Sequence, residues 1–205
     1  MHLNILDNNQ VILLPLLSEF KKEFYMVGGT AIALFIGHRK SVDFDLFKSG
    51  PIRPKAILKK FEIKNEPFLV TLNMQGQLNL ICRDVKFTFF DYDFDIPHKE
   101  LFEQNISMPG LLDLSAMKAY ALGRRSKWKD YADLYFILKN NYSINQISAR
   151  SKELYGDLFS EKLFRGQLGY FVGIDYSEQI DYMPGFEVPD EEIKSFLIDT
   201  SLTGF

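Results

Sequence analysis

The chain has 205 residues, of which 46% are hydrophobic and 15% aromatic, and its formal net charge is −3 at pH 7. This composition describes an ordinary folded protein of one domain with an appendage, or of two small domains. The negative charge excludes a globally basic surface for nucleic acid. The single cysteine, Cys82, excludes an intrachain disulfide and a cysteine-rich metal site.

The N-terminal region predicts a helix and no targeting segment. It lacks a basic leader and a cleavage site, and the apolar run Val11–Leu17 is too short to cross a bilayer and contains Pro15. Leucine and phenylalanine recur at helical spacing over residues 10–24, which predicts a helix there. We therefore expect a soluble, cytoplasmic protein with no membrane partner.

A short strand, a glycine pair and a helix are predicted next. Tyr25–Val27 is apolar, Gly28 and Gly29 follow it, and Ala31–Ile36 is apolar or helix-forming. Paired glycines allow unusual φ angles and close backbone approach, so bare N–H groups at a helix start could hold a phosphate. The alternative is that the glycines form only a tight turn.

The segment Val42–Phe47 alternates between apolar and acidic residues. Because a strand has a period of two, Asp43 and Asp45 are predicted to project side by side. Two adjacent carboxylates are costly unless a cation lies between them, and a hard divalent ion such as Mg²⁺ prefers carboxylate oxygens. The alternative is the hydrated face of an edge strand.

Together these two features resemble the signature of the polymerase-beta-like nucleotidyltransferase superfamily. The resemblance implies that the turn formed by Gly28, Gly29 and Thr30 holds the triphosphate of an NTP substrate. It also implies that Asp43 and Asp45 bind catalytic Mg²⁺ or Mn²⁺.

A basic loop, residues 38–41, leads directly into the two aspartates. Arg39 or Ser41 could contact a phosphate or orient Asp43, since a guanidinium suits bidentate phosphate contact. The alternative is a solvated basic loop.

The middle of the chain predicts a crossover helix and three strands. Residues 51–61 read as the helix, with a proline near its start. The strands are predicted at 68–73, 78–82 and 85–92, with a two-residue hairpin turn at Arg83 and Asp84. Asp91 ends one face of the last strand, where a third metal carboxylate is a candidate. The middle of that strand holds Thr88, where an acid would be better placed for a metal. The alternative is that Asp91 is only an acidic residue at the end of a strand.

The remainder of the chain reads as helical after a connector at residues 97–109. One helix is predicted at 111–125, ended by Ser126 or Lys127, and another at 129–140. Further helices are predicted at 144–158, 160–170 and 189–198.

A second charged constellation lies on the first two of these helices. Asp130 and Asp133 are three residues apart and share a helix face, and Lys118 is the corresponding cation. The alternative is that these charges only solvate amphipathic helices. Leu-x-Ala-x-Lys-Ala followed by Lys-Asp-x-x-Asp-Leu, with the earlier motifs, resembles the AbiEii/AbiGii toxin family of bacterial nucleotidyltransferases over roughly residues 25–138. The resemblance implies that Lys118 meets the nucleotide phosphates and that an aspartate of the later motif completes the site.

The sequence therefore predicts an α/β (α+β) fold. A mixed sheet flanked by helices occupies residues 1–108, and a C-terminal helical region occupies residues 109–205. The implied activity is metal-dependent transfer of NMP from an NTP to an RNA (tRNA) or protein hydroxyl. The family resemblance implies a toxin with a cognate antitoxin. The alternatives are an NTP-dependent phosphotransferase on the same fold and a non-catalytic protein that binds a nucleotide or a partner.

Overall fold

The computed structural model describes residues 1–125 and 127–204. It divides into two compact units, the first spanning Met1–Gly110 and the second beginning at Leu111. None of the helices in the described part of the chain has the length and hydropathy needed to cross a membrane.

The first unit is built on a five-stranded mixed sheet in the order β1-β2-β5-β4-β3. The strands are β1 (Tyr25–Val27), β2 (Phe44–Lys48), β3 (Leu69–Met74), β4 (Gln77–Cys82) and β5 (Val85–Asp91). β2 and β5 are parallel, and the other neighbours are antiparallel. Because β2 and β5 are parallel, a crossover must join them, and it contains the predicted helix, here α3 (Pro54–Ile63). The predicted fold class is confirmed.

Phenylalanines form the core on one face of this sheet. Phe44 pairs in register with Phe87, and both are fully buried. The Phe20 ring packs 4.8 Å from Phe89 and the Phe61 ring 5.2 Å from Phe87, measured between centroids. Aromatic pairs in such tilted and edge-to-face arrangements add about 0.5–1.5 kcal/mol each beyond area burial. The alternation of the strand therefore places Asp45 of β2 on the opposite face.

The hairpin between β4 and β5 matches its prediction. Arg83 and Asp84 have φ angles of 49° and 62°. Positive φ at both central residues is the property of a type I′ turn, whose twist matches that of antiparallel strands.

The N-terminal helix ends earlier than its leucine and phenylalanine spacing predicts. α1 spans Asn8–Leu17, begins with a capping box between Asp7 and Gln10, and passes into a 3₁₀ turn at Ser18–Phe20. The Ser18 hydroxyl donates to the Pro15 carbonyl at 2.8 Å, which competes with continuation of the α-helix.

The predicted connector contains a hairpin that the sequence analysis missed. It consists of β6 (Glu100–Phe102) and β7 (Ile106–Met108), paired antiparallel. The Phe102 and Met108 side chains are fully buried, so this hairpin belongs to the core of the first unit.

The second unit is helical, as predicted. Its helices are α4 (Leu111–Ala121), α5 (Trp128–Asn140), α6 (Ile144–Tyr155), α7 (Glu161–Leu168) and α8 (Asp190–Leu202). α4 ends four residues before its predicted end, and Gly123 continues the chain with φ +84°. A left-handed glycine after the last turn is a common helix stop. Ser126, one of the predicted ends, lies outside the described residues.

Tyrosines and a tryptophan on α5 form hydrogen bonds to other parts of this unit. The Trp128 indole donates to the Asp190 carboxylate at 2.9 Å, and the Tyr135 hydroxyl donates to Glu192 at 2.7 Å. Tyr131 is 1% exposed, and its hydroxyl contacts the carbonyl of Tyr170 at 3.2 Å. These contacts hold α8 and the chain after α7 against α5.

Candidate functional site

The start of the second helix organises the polar groups of the first unit. α2 spans Gly28–Ile36 and follows β1 directly, and its N-cap residue Val27 has no side chain that can cap it. The first N–H groups of an α-helix lack intrahelical partners and form the positive end of its dipole. The start of α2 therefore presents hydrogen-bond donors that suit an anion.

Gly28 is required at this start for two reasons. Its φ is +78°, a conformation that other L residues rarely adopt. A Cβ placed on Gly28 would also overlap the carboxylate of Asp45, which lies directly against the turn. The register explains this closeness, since Asp45 pairs with Val27 across β1 and β2.

Gly29 and Thr30 connect the turn to the loop before β2. A Cβ on Gly29 would lie 2.5 Å from Nη2 of Arg39 and 3.2 Å from Oγ of Ser41. The Thr30 hydroxyl lies 2.9 Å from the Ser41 hydroxyl and also hydrogen-bonds to the carbonyl oxygen of Asp43. The structure thus brings together the seven residues of the first unit that were assigned to the nucleotide or to the aspartate pair.

The basic loop is largely buried, so the solvated-loop alternative is wrong for two of its residues. His38 is 0% exposed and Arg39 is 2% exposed, whereas Lys40 is exposed. Nη1 of Arg39 donates to the Lys40 carbonyl at 2.9 Å. A buried guanidinium beside Gly29 adds a full positive charge to the partial charges of the α2 amides.

The strand that carries the aspartates is shorter than predicted. β2 begins at Phe44, and Val42 is 45% exposed. Asp43 therefore precedes the strand, and its backbone is held by Thr30 instead of a ladder partner. Both aspartates are half-buried.

Asp91 does not join the aspartate pair, which corrects the predicted third carboxylate. Asp45 pairs in register with Thr88, whereas Asp91 pairs with Lys48, three residues further along. That offset is about 10 Å, and its odd parity turns Asp91 to the other face of the sheet. Among the described residues, no three His, Cys, Asp or Glu side chains come close enough to hold a metal ion.

The donor set of the aspartate pair fits one hard divalent ion. Mg²⁺ is usually bound through one or two carboxylates together with substrate phosphates, and Mn²⁺ accepts the same oxygen donors. Asp43 and Asp45 supply two carboxylates, and the α2 start beside them can hold phosphate oxygens. The remaining ligands would have to come from the substrate and water.

In the second unit, the structure also brings together the three predicted residues. The Lys118 ammonium lies 2.7 Å from Oδ1 of Asp130 and 2.9 Å from Oδ2 of Asp133. All three residues are buried, with at most 4% exposure. The alternative that these charges only solvate helix surfaces is therefore wrong.

Arg125 is a member of this cluster that the sequence analysis did not assign. Its Nε and Nη2 donate to the two oxygens of Asp130 at 2.8 and 3.0 Å. The side chain is half exposed, so the guanidinium closes the cluster toward solvent. The sequence signal was its spacing of seven residues, two helical turns, from Lys118.

The cluster in the second unit contains two cations, Lys118 and Arg125, and two carboxylates, Asp130 and Asp133. Buried charges are tolerated only when they are paired and hydrogen-bonded, and removal of one partner leaves an uncompensated charge. The Lys118 ammonium already has two carboxylate partners. We name this group of Lys118, Arg125, Asp130 and Asp133 the buried ion cluster.

Comparison with known proteins finds a family match in the part of the chain that carries the glycine turn and the aspartate pair. The sequence model of a family described as nucleotidyl transferase AbiEii toxin, of type IV toxin–antitoxin systems, matches residues 12–67. That range contains the glycine turn and both aspartates of the pair. An uncharacterised protein of Aquifex aeolicus is 29% identical over 182 residues, which cover 84% of this chain and 85% of the relative.

Solved structures share the fold. JHP933 of Helicobacter pylori superposes with a TM-score of 0.61 at 15% identity, over 95% of this chain and 89% of that one. MenT4, a nucleotidyltransferase toxin of Mycobacterium tuberculosis, superposes with a TM-score of 0.59 at 13% identity, over 94% and 81% of the two chains. The family match confirms the resemblance to AbiEii over residues 12–67, and the solved structures show that the fold is shared.

Proposed function

We propose that this relative of the AbiEii nucleotidyltransferases moves NMP from an NTP to a hydroxyl of RNA (tRNA) or protein in a metal-dependent reaction. One observation carries the proposal: the carboxylate of Asp45 lies against the start of α2 at Gly28, which the Val27 side chain does not cap. This places an anion site and a candidate metal ligand side by side. A glycine turn with only a structural role would not need an anion site and a carboxylate next to each other.

The glycine turn and the buried loop bind the triphosphate in this proposal. The amides of Gly28, Gly29 and Thr30 donate to phosphate oxygens, because the first turn of a helix has no intrahelical acceptors for them. Arg39 contributes its charge from beneath the turn, and Ser41 orients Thr30 through their shared hydrogen bond. Together they fix the α-phosphate relative to the aspartate pair.

Asp43 and Asp45 hold Mg²⁺ or Mn²⁺ in this proposal. When bound, the ion neutralises phosphate charge and lowers the pKa of an attacking hydroxyl. The Thr30 hydrogen bond to the Asp43 carbonyl holds the backbone of Asp43, and the close contact with Gly28 holds the carboxylate of Asp45, before substrate arrives. Such preorganisation avoids reorganisation during the reaction.

We assign Lys118 to the nucleotide phosphates, with Asp130 and Asp133 orienting its ammonium. The support is the motif resemblance together with the two ion pairs that hold Lys118. A lysine fixed by two carboxylates has little rotamer freedom left to lose on binding a ligand.

A non-catalytic nucleotide-binding protein is the second candidate. Thr88, and not an acid, lies opposite Asp45 on β5, so the protein offers two carboxylates to the metal. A site that binds an NTP but turns it over poorly is consistent with that donor set.

Label transfer tests these candidates. Purified protein is incubated with each α-labelled NTP, Mg²⁺ or Mn²⁺, and separate pools of total RNA and total protein. We expect label on one pool, and none with Asp43→Asn. Asp93→Asn, which changes an exposed aspartate outside the proposed site, is the matched control and should retain transfer.

Three other outcomes decide against the proposal. Transfer of γ-label without α-label would identify a phosphotransferase. Binding of NTP with no transfer of either label would identify the non-catalytic protein. Equal α-transfer by wild type and Asp43→Asn would remove the aspartate pair from the mechanism.

We further propose that the protein acts in the cytoplasm as the toxin of a toxin–antitoxin pair. The family description supports this role. Induced expression should arrest growth of a bacterial host, and Asp43→Asn should not. Arrest of equal strength by both proteins would show that toxicity does not depend on nucleotidyl transfer.

A further inference from the structure

A cavity of about 120 Å³ lies at the end of β1 and β2 that is remote from the glycine turn. Val27 and Asp45 pair at the end near the turn, and Tyr25 and Phe47 pair at the other. The cavity is lined at that second end by residues that include Tyr25 and Lys48. It is therefore separate from the proposed nucleotide site.

The cavity has an excess of positive charge. Lys21, Lys22 and Lys48 line it, together with the carboxylates of Glu23 and Asp95. Glu23 is compensated from outside the cavity, because Arg53 contacts its carboxylate at 2.8 Å. Among the lining residues, three lysines then remain against the one carboxylate of Asp95, although the whole chain has a net charge of −3.

An unsatisfied hydroxyl donor belongs to the same wall. Tyr25 is 4% exposed, and its buried hydroxyl has no hydrogen-bond partner among the residues that the structure describes. The His98 ring stacks on Tyr25 with centroids 4.3 Å apart, which fixes the tyrosine in place. A buried hydroxyl without a partner costs about 1–3 kcal/mol, so a ligand oxygen that accepts from it would be favoured.

Burial also keeps this hydroxyl protonated. The desolvation of Tyr25, and next the nearby Tyr92 and Asp95, raise its pKa above the ordinary value. The group therefore remains a donor at neutral pH. A hydroxyl donor in a cavity whose lining includes three lysines suits an oxyanion and does not suit a metal cation.

The size of the cavity limits the ligand. Pockets for whole small molecules occupy about 300–1,000 Å³, so a cavity of about 120 Å³ is too small for a nucleoside. It is large enough for a single phosphate group. Ser49 and Ser107 also line it and add hydroxyl groups of the kind that bind phosphate oxygens.

We propose that this cavity binds a phosphate group, held by the ammonium groups of Lys21 and Lys22 and by the Tyr25 hydroxyl. The group could belong to the backbone of an RNA acceptor or to free inorganic phosphate. Lys48 lies three residues beyond Asp45 on β2, which is about 10 Å along the strand. The RNA source rests on the proposed function, whereas binding of the phosphate group does not.

Two titrations test the site. A fluorescently labelled single-stranded RNA is titrated by anisotropy at several salt concentrations, and inorganic phosphate is titrated by calorimetry. The test variant is Lys21→Gln/Lys22→Gln, and the matched control is Lys55→Gln/Lys59→Gln, which removes two charges at exposed positions of α3. A third variant, Tyr25→Phe, removes only the unsatisfied hydroxyl.

We expect at least tenfold weaker RNA binding for the test variant and little change for the control. The slope of log K against log salt should fall by about one for each lysine that contacts a phosphate. Tyr25→Phe should weaken binding about two- to tenfold, as expected for one hydrogen bond. Loss of phosphate binding with unchanged RNA binding would assign the cavity to free phosphate.

Equal effects of the test and control variants on both ligands, or binding of neither ligand by wild type, would overturn the proposal. Asp43→Asn separates this inference from the proposed function. That variant should lose nucleotidyl transfer and keep wild-type phosphate binding. Failure of transfer in wild type with intact phosphate binding would reject only the proposed function.

Discussion

The two units use the same kinds of residue in opposite ways. In the first, Asp43 and Asp45 are half-buried beside the start of α2, where backbone N–H groups and a buried guanidinium supply positive charge. In the second, Asp130 and Asp133 are buried against Lys118 and Arg125. The aspartate pair lies half-buried beside a helix start that suits phosphates, whereas the carboxylates of the buried ion cluster are buried against Lys118 and Arg125.

This difference predicts different consequences of removing charge. Loss of a carboxylate from the aspartate pair should affect activity and leave stability nearly unchanged. Loss of a member of the buried ion cluster should lower stability, because the remaining charges stay buried without a partner. Each prediction below tests one side of this contrast.

The largest effect is expected for Lys118→Met. It leaves Asp130 and Asp133 close together in the core, and breaking a buried pair in this way costs about 3–5 kcal/mol. Urea unfolding followed by the fluorescence of Trp128 measures this cost, since the only tryptophan of the chain lies in the second unit.

Lys152→Met is the matched control for that variant. Lys152 forms an ion pair with Asp157 at the same distance of 2.7 Å, but both side chains are more than half exposed. Exposed pairs contribute about 0–1 kcal/mol, so this variant should be nearly as stable as wild type. If the stability of Lys118→Met matched that of Lys152→Met, the contrast between the two units would be wrong, whatever happened to activity.

Asp45→Asn should reduce nucleotidyl transfer by about 10²–10³-fold, the size of effect seen when one preorganised charge-stabilising group is lost. Its stability should change by less than about 1 kcal/mol, the usual strength of a carboxylate at a helix start. Initial rates of label transfer and the urea midpoint, measured on one preparation, give both numbers. A large loss of stability would place Asp45 with the buried ion cluster and not with a ligand site.

Gly28→Ala isolates the contact between the helix start and Asp45. The variant combines a strained φ of +78° with a clash against the carboxylate. Gly50→Ala is its control, because Gly50 has φ +83° with no heavy atom within 4 Å of an added Cβ. Strain of this kind costs about 1–3 kcal/mol in both variants. Only Gly28→Ala should also lose NTP binding, and equal binding by the two would show that closeness to Asp45 is not required.

The sequence predicted which residues form the first site, but it did not predict how the strands that carry them pair in the sheet. The strand, glycine turn and aspartates follow from local patterns, and the structure brings them together. The register of β2 against β5 could not be predicted, because these parallel neighbours are separated by a crossover and their pairing is set by helix packing. For that reason Asp91 was assigned to the metal, although Thr88 lies opposite Asp45.

The second site shows the same limit. The spacing of Asp130 and Asp133 predicted a shared helix face, which the structure has. Their burial and the participation of Arg125 depend on how α4 packs against α5, and no residue spacing encodes that packing. The β6–β7 hairpin was missed because each of its strands has only three residues, too few for an alternation to be recognised.

Arg125→Gln should have the smallest effect and should sharpen the comparison. The guanidinium is half exposed, so its loss should cost about 1 kcal/mol despite two contacts with Asp130. Because Lys118 and Arg125 both bind Oδ1 of Asp130, the double variant with Lys118→Met should deviate from additivity by about 0.5–3 kcal/mol. Strict additivity in urea unfolding would mean that the two cations act independently, and the four residues would then not form one electrostatic unit.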